Sequence, residues 1–247
     1  MRRSKGAEAI LEGPHLVAEA LRLGLHLEPV LATEEFAASS AGAQLIARLA
    51  RPPLLASAKI VASLADADSP RGLIAACRLP RGGLEGIRPA AGEIWLFLDH
   101  IQDPGNLGAL ARVAEGLGGA GLLLSTGCAH PNHPRALRAS AGSLLRLPLA
   151  TRVDPAAARG HFAGIDARWI GLEAHSGSIE LKDVRATGAA ILALGAEGQG
   201  LSEATRAGLD SAVTIPLRGR LESLNVTVAA ALVLARLVPP GSERVHS

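Results

Sequence analysis

The chain has 247 residues, 48% of them hydrophobic, with 28 Gly, 15 Pro and a net charge of +2, enough apolar content to bury a large core and too much for a disordered chain. Aromatic residues are only 2% and Tyr is absent, which excludes a surface that stacks bases on rings; 22 of the 25 basic residues are Arg, so nucleic-acid contact would rest on guanidinium forks. Cys77 and Cys128 have neither C-x-x-C spacing nor clustered histidines beside them, no stretch reaches the roughly 18 apolar residues of a membrane span, and Glu8 and Glu12 interrupt the basic start, so a cytoplasmic protein with no metal and no membrane contact is expected.

In chain order, residues 7–24 are helix-periodic through Ile10, Leu11, Val17, Ala18 and Leu21, with Gly24 placed to end the helix. Residues 29–33, 54–57 and 72–78 read as strands and 42–49 and 58–64 as helices, so 1–77 forms a small α/β domain. RLPRGGLEGIRPAAG, 78–92, has no sustained periodicity and reads as a linker to a second domain, 93–247. IWLFLDHI, 94–101, is too continuously apolar for a half-exposed strand and suits a buried parallel one. Asn106 is a favourable N-cap for a helix over 107–117, and GLLLS, 121–125, is the next strand of a right-handed βαβ unit. A helix over 135–141, strands over 145–149, 169–173, 189–194 and 212–217, and a glycine-rich turn, GAEGQG, 195–200, leading to a helix from near Leu201, complete the α/β pattern. The last helix, 226–237, is apolar almost all round and stops at Pro239 and Pro240, which suits a core or a subunit contact.

Three stretches, 106–114, 194–202 and 215–231, each follow a strand, and in a parallel sheet such loops converge on one edge. The glycine turn does not match the G-x-G-x-x-G dinucleotide fingerprint; it is either a plain tight turn or a place for close backbone approach to a ligand. Glu197 within it is a functional carboxylate or a solvated one. Arg112 is either an ordinary solvated helix arginine or, as its apolar and small neighbours favour, a partly enclosed guanidinium. Ser223 and Asn225 suit capping of the last helix, and capping is compatible with a site role. The eight histidines show no metal spacing, and no G-x-S-x-G elbow supports a hydrolase.

NLGALAR (106–112), LGAEGQGLS (194–202) and IPLRGRLESLNVTVAAA (215–231) resemble the three ordered motifs of the SpoU/TrmH family of RNA ribose 2'-O-methyltransferases in the SPOUT superfamily, and SAGS (140–143) resembles a further family segment. GPHLVAEAL (13–21) and SPRGLIA (69–75) are similar to the small ribosomal-protein-like domain that binds substrate in many members. The resemblance implies a parallel-sheet catalytic domain with a trefoil knot, a homodimer, and S-adenosylmethionine held against Gly195, Gly198, Gly200, Ile215, Leu217 and Leu224. Asn106, Arg112, Glu197, Ser223 and Asn225 would form the catalytic cluster, acting without metal on RNA, ribosomal RNA ahead of transfer RNA. The alternative is a non-catalytic RNA-binding protein of the same fold. A guanidinium with a pKa above about 12 stays protonated, so Arg112 suits a phosphate grip and alkoxide stabilisation rather than a base, with Glu197 and Asn106 orienting it. Leu217 stands where the family more often has Met, and RGRLE (218–222) is more charged than usual.

Overall fold

The computed structural model describes residues 8–66, 71–174, 177–185, 188–221 and 223–238. Ser69, Pro70, Glu222, Pro239 and Pro240, singled out above, lie outside the described residues. The first departure from the sequence pattern comes at once, because residues 8–12 are a strand, β1 (Glu8–Glu12), and the helix α1 (Pro14–Arg22) begins only after Gly13. Gly13, at φ 87°, turns the chain into Pro14 at the first helical position, and the antiparallel partner of β1 then fixes 8–12 as extended.

Next come β2 (Leu27–Ala32), α2 (Glu34–Ala38), α3 (Ser40–Ile46), β3 (Leu54–Leu55), α4 (Ala58–Leu64) and β4 (Leu73–Arg78). The periodicity leaves α2 unmarked; Thr33 starts it by accepting the Phe36 amide on Oγ1 at 3.1 Å. Beyond the linker follow β5 (Ile94–Asp99), α5 (Pro104–Gly116), β6 (Gly121–Ser125), α6 (Pro134–Ala139), α7 (Ser143–Arg146), β7 (Leu149–Val153), α8 (Pro155–Phe162), β8 (Arg168–Leu172), β9 (Ile179–Glu180), β10 (Ala190–Gly195), α9 (Glu203–Arg206), β11 (Ser211–Thr214) and α10 (Val226–Leu237). A strand over 145–149 is not formed; α7 ends at Arg146 and the strand begins at Leu149.

By mutual contact the chain divides into two compact units: the described residues up to Arg81 together with His130–Arg146, and Gly82–Ala129 together with the described residues from Leu147 onward. The first unit has a four-stranded sheet in the order β1-β4-β2-β3. Its 130–146 segment is held by buried carboxylates: Glu12 Oε2 accepts Arg138 Nη1 at 2.8 Å, and Glu19 Oε1 pairs with Arg146 Nη1 at 2.8 Å. Arg81 donates Nε to Asn132 Oδ1 at 2.8 Å and Nη2 to the Leu144 carbonyl at 2.9 Å. Both carboxylates have a second partner, since Glu19 Oε2 also pairs with Arg22 Nη1 at 2.7 Å and Glu12 Oε1 accepts the Asp66 amide at 2.6 Å.

The second unit is built on a seven-stranded sheet, β7-β6-β5-β10-β8-β11-β9, in which every recorded pairing is parallel. All six residues of β5 are buried, as the unbroken apolar run predicts. The core on one face gathers Trp95, Phe97, Leu123, Phe162, Trp169 and Ile191; Trp95 meets Phe162 edge-on at 5.4 Å between ring centres, and Phe97 meets Trp169 at 5.4 Å. Among the described residues no helix is long and apolar enough to cross a membrane.

Candidate active site

β5 and β10 are neighbours, yet β5 leads on to β6 on one side while β10 leads on to β11 beyond β8 on the other. A parallel sheet has its ligand crevice outside the strand C-termini at such a reversal. The register sets Asp99, the last residue of β5, beside Gly195, the last of β10. Both strands therefore release their loops at the same point, and β11 delivers a third, 215–225, that runs into α10.

Each loop is shaped by a local device. The turn after β10 closes on itself through a bridge between Ala196 and Gly200, whose amide donates to the Ala196 carbonyl at 2.9 Å. A Cβ on Gly195 would sit 2.1 Å from the Gly200 carbonyl carbon, so only glycine permits that closure. The loop after β5 enters α5 through Asp103, not Asn106: Asp103 Oδ1 accepts the Asn106 amide at 2.8 Å, and Pro104 occupies the first turn. Asn106 thus lies inside the helix with its carboxamide free for other partners. Asn225 is the cap of α10, its Oδ1 accepting the Thr227 amide at 2.9 Å.

Three residues of the expected cluster meet. Glu197 Oε1 accepts Asn106 Nδ2 at 3.1 Å and Asn225 Nδ2 at 2.9 Å, and Asn225 Nδ2 also reaches Asn106 Oδ1 at 3.2 Å. Glu197 and Ser223 line a cleft of about 520 Å3 together with Gly195, Gly198, Gly200, Ile215, Leu217 and Leu224. The cleft wall is mostly backbone and aliphatic carbon, with the polar triangle at its rim.

Arg112 does not join that triangle. It is exposed rather than partly enclosed, and no described residue bonds its guanidinium; Glu197 Oε1 is taken by the two asparagines instead. The apolar positions around it in sequence, Leu107, Leu110, Ala111 and Ala114, are the buried face of α5, and Arg112 falls on the other side. Arg218 and Arg220 are exposed too and likewise have no partner among the described residues.

One supporting residue went unmarked in the sequence pattern. Asp99 is 1% exposed, and its Oδ2 accepts the Ser202 amide at 2.7 Å, which pins the far end of the glycine turn to β5. Burial alone would raise its pKa, but the Ser202 amide, the Ser202 and Thr205 hydroxyls and His100 together hold it below the usual carboxyl range. An acid closing an otherwise apolar strand was the available signal, since a buried carboxylate must find partners. Among the described residues no group of three His, Cys, Asp or Glu side chains is close enough to hold a metal ion.

The fold and site define an α/β protein with a cleft at the switch point of a parallel sheet and a polar cluster joined to it through Glu197. Residues 93–235 match the model of the SpoU rRNA Methylase family. The chain is 36% identical over 148 residues to a Mycolicibacterium smegmatis protein described as an uncharacterized tRNA/rRNA methyltransferase, a match covering 60% of this chain and 47% of that relative. It therefore spans about half the length of the curated relatives it matches. Among solved structures it is similar to an RNA 2'-O ribose methyltransferase, with TM-score 0.80, 28% identity and coverage of 94% of this chain and 88% of the other. The SpoU methyltransferase AviRb of Streptomyces viridochromogenes, solved in complex with AdoMet, shares the fold with TM-score 0.82 at 24% identity, over 94% of this chain and 90% of that one. The chain belongs to the SpoU rRNA methylase family.

Proposed function

We propose that this protein transfers a methyl group from S-adenosylmethionine to the 2'-hydroxyl of a ribose in structured RNA, with large-subunit ribosomal RNA as the first substrate class and transfer RNA as the second. The observation that carries the reading is the Asn106, Glu197 and Asn225 triangle at the rim of the 520 Å3 cleft. The cleft fits the cofactor: its volume is that of a small-molecule pocket, the glycine turn offers backbone groups without side chains in the way, and Ile215, Leu217 and Leu224 offer apolar contact to a planar base.

When bound, the cofactor supplies an electrophilic methyl on a sulfonium sulfur. The residues of this chain supply positioning and charge. Glu197, tied by two carboxamides, is held at the cleft rim with Oε2 unpartnered among the described residues. Arg112, exposed and unpaired, is available to grip a phosphate beside the target ribose and to stabilise charge developing on the oxygen. A guanidinium does this while protonated, so it needs no proton of the substrate.

The reading extends to a homodimer, a knot and a substrate-recognition domain. Val228 and Leu232 on α10 are 50% and 41% exposed, and with Val113, Leu181 and Ala231 they border an apolar depression of about 530 Å3, supporting a subunit contact there. The trefoil knot rests on the resemblance of residues 106–112, 194–202 and 215–231 to the family's three ordered motifs. Residues 1–77 are assigned RNA recognition, supported by a sheet of their own outside the cleft-bearing unit.

The test is transfer of tritiated methyl from S-adenosylmethionine to unmodified ribosomal RNA and, separately, to transfer RNA, followed by alkaline hydrolysis. Label in alkali-resistant dinucleotides marks 2'-O-methylation. Label confined to mononucleotides, or none in either RNA, would overturn the reading.

A further inference from the structure

His100 follows β5 directly and has a positive φ of 57°, uncommon for residues with a β-carbon. A left-handed backbone costs a residue with a β-carbon roughly 1–2 kcal/mol, and Gly or Asn would meet the same turn more easily. What holds it is local and complete. The His100 amide donates to Ser125 Oγ at 2.9 Å, and Nδ1 lies 2.7 Å from Oδ1 of the buried Asp99. Because Asp99 is kept ionised below the usual carboxyl range, it only accepts, so Nδ1 carries the hydrogen.

The ring is also seated. A Cβ on Gly127, at φ 96°, would come within 2.7 Å of His100 Cδ2, so the glycine leaves the space that the imidazole fills. The His100 side chain is nevertheless 46% exposed, and Nε2 has no partner among the described residues. An imidazole is therefore fixed at one edge by a carboxylate, backed by a glycine, and open at the other edge. It stands at the strand ends from which the site loops emerge, six residues before Asn106.

We propose that His100 is an RNA-phosphate contact of the substrate-binding surface, made through the open Nε2 edge of a ring that Asp99 fixes at the other edge. The proposal rests on the RNA-methylation reading. The described residues that hydrogen-bond His100 are Asp99, through Nδ1, and Ser125, through the backbone amide.

The experiment uses the full chain with unmodified, in vitro transcribed large-subunit ribosomal RNA as probe, measuring RNA affinity against salt for wild type, His100→Asn and His100→Gly. Both replacements suit a positive φ, so the turn is kept while the imidazole is lost. Calorimetric titration with S-adenosylmethionine confirms that each variant is folded. The expected result is RNA binding about tenfold weaker in both variants, with a salt dependence shallower by about one ion. A purely structural role would weaken binding and leave the salt slope alone. RNA affinity and salt profile matching wild type in both variants overturn this proposal alone. A wild type that binds the cofactor but neither RNA class counts against the methylation reading itself and removes the proposal with it.

Discussion

Asn225 and Glu197, 28 positions apart, are joined by a 2.9 Å hydrogen bond from Nδ2 to Oε1, while the same asparagine caps α10 through Oδ1. One side chain thus performs two separable tasks, and replacements can divide them. Asn225→Ser retains an N-cap oxygen but loses the donor to Glu197. Asn225→Ala loses both. The serine variant should unfold near the wild-type midpoint and the alanine variant should lose about 1 kcal/mol, yet both should methylate RNA poorly. Chemical denaturation and single-turnover transfer on one RNA measure the two tasks; a serine variant with wild-type turnover would remove Glu197 anchoring from the mechanism.

Arg112 offers a different separation, between charge and fork. Arg112→Lys keeps a cation without bidentate geometry, and turnover should fall by roughly two to three decades with cofactor affinity near wild type. A lysine acting as a base would instead add an ionisation to the rate profile and recover rate at high pH. Single-turnover rates against pH for Arg112→Lys and Arg112→Ala decide it, and an undiminished rate in the alanine variant would leave Arg112 with no role.

The subunit contact proposed for α10 is best probed at Leu232. That side chain is 41% exposed in the single chain, whereas Ala230 is fully buried, so a charge at 230 would disturb the core before it reached any interface. Leu232→Glu should leave the far-ultraviolet spectrum and thermal midpoint of the subunit intact while shifting sedimentation toward the monomer. A variant that sediments with wild type would locate the contact elsewhere.

Burial pushes the Cys77 thiol up to about 11 against a smaller opposing pull from Arg81, and Cys128 is raised by burial as well. At about pH 8 the Cys77 thiolate is then roughly one part in a thousand, against about a quarter for a free thiol. Iodoacetamide followed by intact-mass measurement should leave both cysteines unmodified until denaturant is added. Prompt labelling of Cys77 in buffer would mean that the sheet of the first unit opens readily.

Asp99 sets a sign for acid stability. Its folded-state pKa lies below the ordinary 3.8, so its contribution is complete above that value and lost as pH falls through the depressed one. Wild type should exceed Asp99→Asn in urea midpoint at about pH 7 and pH 5, and the gap should narrow toward about pH 3. A gap constant across that range would mean that the carboxylate charge contributes nothing beyond its hydrogen-bonding shape.

Much of the fold was legible because its signals are local. β6 and α4 begin and end where the periodicity puts them, and the apolar run of β5 suits a buried parallel strand. The site loops followed from their places after strands. The errors arise where a partner distant in sequence decides. EAILE carries a pattern that suits helix or strand, and only β4 settles it. Asn106 and Asp103 are both good caps, and geometry chooses the aspartate. Arg112 sits among apolar letters that are helix neighbours in sequence but face the opposite side. Nothing near 130–146 announces that Arg138 and Arg146 answer to Glu12 and Glu19, more than a hundred residues earlier.

That long-range pairing bears on how the protein could be re-engineered. Because the chain leaves the second unit after Ala129 and returns to it at Leu147, the first unit is a discontinuous module. A chimera that imports another sheet only as a replacement for residues 1–77 would pair foreign carboxylates, or none, with Arg138 and Arg146. Exchanging the first unit between relatives therefore calls for two coordinated grafts, the amino-terminal stretch and the 130–146 excursion, moved as one cassette with their ion pairs intact.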